Sequence, residues 1–180
     1  ASAGVDYQIG VITTTTDGNT CPPGFPICPP PPSTPGEGIL RTIRAGQANQ
    51  VGPILRSNTP NVGQAFQQLV NVGTDGSGTE EALATAVMAL TPPKIVTENA
   101  GFLRTDANLA IVIVSDAGDQ SNQPLSYYEN RLINVKGFNR LSMFTLSAIG
   151  PFLSSAPTGC TYDGGGDAQR YLTMVTRTGG

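Results

Sequence analysis

The apolar positions of this chain change period several times, and each change predicts an element. Tyr7, Ile9 and Val11 alternate with Gln8, Gly10 and Ile12 ahead of a β-branched threonine run at 13–16, which predicts a strand. The stretch GILRTIRA at 38–45 alternates weakly and predicts an edge strand. At Thr59-Pro60 the period becomes helical. Thr59 stands at the cap and Pro60 at the first position, and Val62, Ala65, Phe66, Leu69 and Val70 share a face before Gly73. Ser77-x-x-Glu80 spells a capping box for a second helix, whose stripe is Ala82, Leu83, Ala86, Val87 and Leu90 and whose stop is Pro92-Pro93. The unbroken apolar run 109–114 predicts a central strand buried on both faces, as in a parallel sheet. A helix follows over 124–135 with Leu125, Tyr128 and Leu132 inward, then a strand over 141–149. Asp167 is the expected cap of a last helix that carries Ala168, Tyr171, Leu172 and Val175 and ends at Gly179.

The order β, β, α, α, β, α, β, α predicts an α/β fold: one domain over 1–180, built on an open, doubly wound, mostly parallel sheet with helices on both faces. A Pro/Cys-rich loop is inserted at 20–36. In such sheets ligands sit beyond the carboxyl ends of the strands. Asp116 lies there, directly after Val114-Ser115, and the polar loop GTDGSGT at 73–79 leads into a helix N-terminus close by in the pattern. Asp119, farther along the same loop, reads either as an acid supporting a ligand from behind or as a solvated loop residue, and the second reading is favoured.

Composition narrows the chemistry. With 13% charged residues and a net charge of −3, the chain has no basic footprint for nucleic acid and no polybasic membrane patch. No apolar run approaches membrane-spanning length. There is no His, so a Ser-His-Asp triad cannot be assembled within the chain, and a metal would be held by carboxylates and hydroxyls. Such donors favour Mg2+, Mn2+ or Ca2+ over Zn2+. With no activated nucleophile and no phosphate loop either, no enzyme is expected.

More than half of the 15 prolines lie between Pro22 and Pro35, around Cys21 and Cys28. Together with the Thr/Gly/Asn richness this predicts a secreted or cell-surface protein, with Cys21 and Cys28 joined. A disulfide closing so short a loop stabilises by about 2–3 kcal/mol in the chain-entropy model. Two free thiols are the other reading, and Cys160 is left free or paired outside the segment.

Four stretches carry a family resemblance: YQIGVITTTTDG, VGTDGSGTEEAL, IVIVSDAGDQS and the ending GCTYDGGGDAQRYLTMVTRTGG. Together they resemble a von Willebrand factor A domain of the secreted bacterial kind, over nearly the whole chain. The resemblance implies adhesion or another protein–protein interaction at the cell surface, on the exterior of the outer membrane or in the periplasm of a bacterium. It also implies a metal-ion-dependent adhesion site, usually for Mg2+, with Ca2+ the other candidate. Three loops build that site in the family: D-x-S-x-S, then a Thr or Ser, then an Asp. An acid of the partner completes the metal's shell. The third element falls on Asp116. The second falls on Ser77, at the position of the family's Thr, or on Thr79, whose other reading is a helix cap. The first element is expected upstream of Tyr7 and is absent from 1–180. Asp75-Gly76-Ser77-Gly78-Thr79 mimics it, but Asp75 stands too close to Asp116 in sequence for that role.

The resemblance therefore implies a partial domain without its first strand and without its last strand and helix. The missing central strand is expected from an upstream segment or from a partner chain. Two functions follow: a metal-dependent binding module for a protein ligand, or a structural subunit of a surface assembly or fibre that works through contacts with a neighbouring subunit.

Overall fold

The computed structural model describes residues 4–16, 36–42, 52–72, 78–153 and 166–180. Among them the order is β1 (Gln8–Ile9), β2 (Leu55–Arg56), α1 (Val62–Val70), α2 (Ala82–Leu90), β3 (Leu109–Val114), α3 (Leu125–Ile133), β4 (Phe144–Ile149) and α4 (Gln169–Thr178). The class is mixed α/β. The described strands form two separate pairs, β1–β2 antiparallel and β3–β4 parallel.

The β3–β4 ladder runs in step from Leu109↔Phe144 to Val114↔Ile149. Side chains alternate faces along a strand, so Leu109 and Ile113 share a face with Phe144 and Leu146. That face joins one core with Leu83 of α2, Tyr128 and Leu132 of α3, and Tyr171 and Met174 of α4. The other row does not match the expectation of burial on both sides. Val112 is 64% and Val114 68% exposed, and Ile149 beside them is also exposed. A continuous apolar run makes both rows look alike, but among the described residues only one of them meets the helices. Among the described residues β3 pairs with β4 alone. The outer edge of β4 is covered at Leu146, whose N–H donates to Thr178 Oγ1 of α4 at 3.0 Å.

A second, smaller core holds Leu55, Ala65 and Leu69, with Ile9, Val11 and Val62 against it. Arg41 closes it. Its N–H donates to Val11 O at 2.8 Å, and its guanidinium donates to Leu69 O and, at 3.3 Å, to Asn71 O. A cation there meets the unsatisfied carbonyls that end α1.

Several local expectations change for identifiable reasons. The described part of 38–45 is not a strand. Glu37 (φ 57°) and Gly38 (φ 71°) make a turn, after which buried Asn99 holds the chain. Asn99 Oδ1 accepts from Leu40 N at 2.9 Å, and Nδ2 donates to Gly38 O at 2.8 Å and Ala89 O at 3.0 Å. β2 was not expected. Helix α1 begins at Val62 rather than Pro60, because Thr59 Oγ1 accepts from Arg56 N and closes the turn after β2. Asp167 does not cap the backbone of α4, since its carboxylate accepts from Leu153 N and Gln169 Nε2. The stop at Gly179 holds, in the left-handed region at φ 70°.

The two faces of the β3–β4 pair give a direct test. Leu146→Ala on the core face is expected to cost about 2–5 kcal/mol through lost burial and a cavity. Val112→Ala on the open face should stay within about 0.5 kcal/mol in this chain. Urea unfolding of both variants checks the contrast.

Candidate functional site

Residues 115–121 leave the carboxyl end of β3 and split their two acids in opposite directions. The turn starts where Ser115 N donates to Ile149 O at 3.0 Å, extending the ladder by one residue. Ser115 Oγ then accepts from Ala117 N and donates to Ala117 O. Gly118 follows because no side chain fits: a Cβ there would lie 2.5 Å from Asp167 O. Asp116 points out. It is exposed and makes no hydrogen bond or ion pair among the described residues.

Asp119 points in, contrary to the reading of a solvated loop residue, and its side chain is 0% exposed. Oδ1 accepts from Leu83 N at 3.1 Å and from Ser121 Oγ at 2.8 Å. Ser121 Oγ in turn accepts from Ala84 N at 3.0 Å. These are N–H groups of the first turn of α2, which have no partner inside the helix. Helix α2 is therefore capped from another loop at Leu83 and Ala84, its N-cap residue is Glu81, and the Ser77 half of the expected box lies outside the described residues. The described half of that box, Glu80, accepts from Thr14 Oγ1 through its carboxylate and from Gln120 N at 2.7 Å through its carbonyl. Its neighbour Glu81 accepts from Thr16 Oγ1 and donates its N–H to Thr14 O at 3.0 Å. Glu80 and Glu81 thus join the end of the 4–16 segment to the loop that carries Asp116.

Arg170 completes the arrangement from α4. Its Nε lies 2.9 Å from Asp119 Oδ2, an ion pair without the in-line geometry of a hydrogen bond. Its Nη2 donates to Gln123 O at 2.8 Å, and its guanidinium lies over the Tyr128 ring at 5.6 Å. Burial pushes the Asp119 carboxyl above its ordinary value, against the opposing pull of Ser121, Leu83 N–H and Arg170. The buried Tyr171 hydroxyl is also pushed up, first by burial and then by the charges of Asp119 and Glu80.

Of the expected metal ligands, Asp116 and Thr79 are exposed on adjoining loops, which the Gln120–Glu80 bond ties together. Ser77 and the mimic Asp75 lie outside the described residues, as do Cys21, Cys28 and Cys160. The donors in view are one carboxylate and one hydroxyl. As hard oxygens they suit Mg2+ or Ca2+, but they fill only part of the six or more positions such ions take. Among the described residues no group of three His, Cys, Asp or Glu side chains is placed to hold a metal. Sequence reading missed Asp119, Ser121 and Arg170 as one unit. The available signal was Asp119-Gln120-Ser121, two capping residue types spaced to reach consecutive N–H groups.

The raised Asp119 value fixes the sign of a pH effect. The folded state holds this proton more tightly than the unfolded state does. The carboxyl's contribution is therefore fully present below its ordinary value of 3.8 and is lost as pH rises through the higher folded value. The stability difference between the native chain and Asp119→Asn should accordingly shrink with rising pH from about 4 upward and then level off. Urea unfolding of both proteins across that range checks it. A difference that grows with pH would show that Arg170, not burial, governs the group.

No family model, curated protein or solved structure matches this chain, so the reading of the site rests on its own residues and geometry.

Proposed function

We propose that the chain is an extracellular protein-binding module of the von Willebrand factor A kind, and that it binds with the loops at the carboxyl end of its sheet. The single observation that carries this reading is the division of labour between the two acids after β3. Asp119 is buried, with Oδ1 hydrogen-bonded and Oδ2 in an ion pair, while Asp116, three residues away on the same braced loop, presents to solvent a carboxylate with no partner among the described residues. A loop held this firmly has more support than a plain turn needs, and the side chain it displays is the one the family resemblance assigns to a metal. In this reading Asp116 and Thr79 hold Mg2+ or Ca2+, with Ser77 as the other hydroxyl candidate. Water and an acidic group of the partner fill the remaining positions. The bound ion supplies a positive charge that recognises that acid. No step of bond-making chemistry is assigned, which agrees with the absence of His and of an activated nucleophile.

The open edge of β3 favours a second reading, that of a structural subunit in a surface assembly. Val112 and Val114 are exposed, and among the described residues β3 has a hydrogen-bonded neighbour on one side only, so the edge is suited to receive one further strand. That strand would complete the doubly wound sheet that the family resemblance implies. It comes from an upstream segment or from a neighbouring subunit. Among the described residues no helix is long and apolar enough to cross a membrane.

Titration calorimetry with Mg2+ and with Ca2+ separates the two readings. The binding module predicts saturable uptake of one of the ions, removed by EDTA and abolished in Asp116→Ala. The thermal midpoint should be unchanged in that variant, because Asp116 holds no partner among the described residues. Absence of uptake, or uptake unaffected by Asp116→Ala, overturns the metal site and leaves the structural subunit.

A further inference from the structure

Residues 119–121 fasten to residues 80–84 at three consecutive points: Asp119 to Leu83 N, Gln120 N to Glu80 O, and Ser121 to Ala84 N. Capping alone does not explain the choice of residue at 119. Asn or Ser would satisfy the Leu83 N–H without burying a charge, and a buried carboxylate carries a desolvation penalty that its partners must offset. What the charge adds is reach to a third element, because Oδ2 faces Arg170 of α4 while Oδ1 caps α2. Arg170 is in turn held by Gln123 O and the Tyr128 ring of α3. The titratable groups around the carboxylate are Arg170 and Tyr171 from α4, Glu80 ahead of α2, and Tyr128 behind Arg170. Asp116 lies on the same loop and Asp167 on the adjoining one.

We propose that Asp119 is a positioning residue for the carboxyl-end face: with Oδ1 on α2 and Oδ2 facing Arg170, its carboxylate fixes the loop it shares with Asp116 against the loop bearing Thr79 and the start of α4. The two exposed residues, Asp116 and Thr79, are thereby set from beneath by a group that does not touch the ligand. The placement is held at the cost in stability that burying the charge carries. The lock itself stands on the contacts above, and its consequence for binding rests on the binding-module reading.

Amide exchange and NMR on the unliganded 180-residue chain test the lock. In Asp119→Ala, exchange at Leu83, Ala84 and Gln120 should rise together, tenfold or more, while the β3–β4 ladder is unchanged. Asp119→Asn, the variant that keeps an acceptor, should leave Leu83 protected. In the native chain the Leu83 amide and the Arg170 Nε–H should titrate with one shared midpoint, and that titration should vanish in Asp119→Asn. Separate midpoints, titration that persists in Asp119→Asn, or increased exchange confined to Leu83 would overturn the lock and reduce Asp119 to a cap. Calorimetry with Mg2+ and Ca2+ reads the consequence: Asp119→Asn should weaken uptake tenfold or more with its fold intact, and undiminished uptake would overturn the positioning role. Failure of the native chain to take up either ion overturns the binding-module reading without touching the exchange result.

Discussion

The first turn of α2 lies inside the protein, and its free N–H groups must find partners there. Ala82, Leu83, Thr85, Ala86, Val87, Ala89 and Leu90 are all buried and Ala84 and Met88 are half-buried, so no side of the helix is open to water. Leaving one such donor unpaired costs about 1–3 kcal/mol. Asp119 and Ser121 meet the need from a different part of the chain, and the rest of the carboxyl-end architecture follows from that. The loop after β3 must come to α2, which brings Gln120 to Glu80. Glu80 and Glu81 bring in the end of the 4–16 segment, and the charge on Asp119 brings in α4 through Arg170.

The same constraint explains why the loop reads Ser-Asp-Ala-Gly-Asp-Gln-Ser rather than a plain turn. Ser115 closes the strand end on Ala117, Gly118 lets the Asp167 backbone approach, and Asp119 and Ser121 carry the caps. Each of these residues has a structural task. Asp116 has none among the described residues, and it is the one acid of the loop left facing solvent. A residue without a fold role on a segment so fully used elsewhere is the natural place to seek binding chemistry.

Much of this was legible because periodicity reports burial. The helical stripes place α1, α2, α3 and α4 within a few residues, and the apolar runs place β3 and β4. What stayed hidden was long-range. A capping box is a local pattern, and Ser77-x-x-Glu80 could not disclose that the acceptors for α2 come from residues 119 and 121. Thr59 and Asp167 carry good capping side chains, but each is diverted, to Arg56 N and to Leu153 N. The two-residue strand β2 has too little alternation to register, and the turn at Glu37-Gly38 broke an edge strand whose weak pattern depended on Asn99 elsewhere. At the site, Asp116 was legible from its place after an apolar run. Asp119 was not, because residue type alone does not say which of two loop acids turns inward.

The uneven burial of β3 bears on how the binding face and the assembly reading fit together. Val112, Val114 and Ile149 are each about two-thirds exposed, and full burial of such a side chain is worth about 1.5–3 kcal/mol. An element that covered this row would therefore add several kcal/mol, against a net stability of about 5–15 kcal/mol for a typical domain. The added strand and the ligand would not compete for space. The strand would enter along the edge of β3, whereas Asp116 and Thr79 project from loops beyond its end. Those loops are braced from α2 and α4 by Asp119 and Arg170, on the side of the sheet that is already packed. On the proposed reading, completing the sheet and occupying the carboxyl-end face would therefore be separable events, which one chain could support at once.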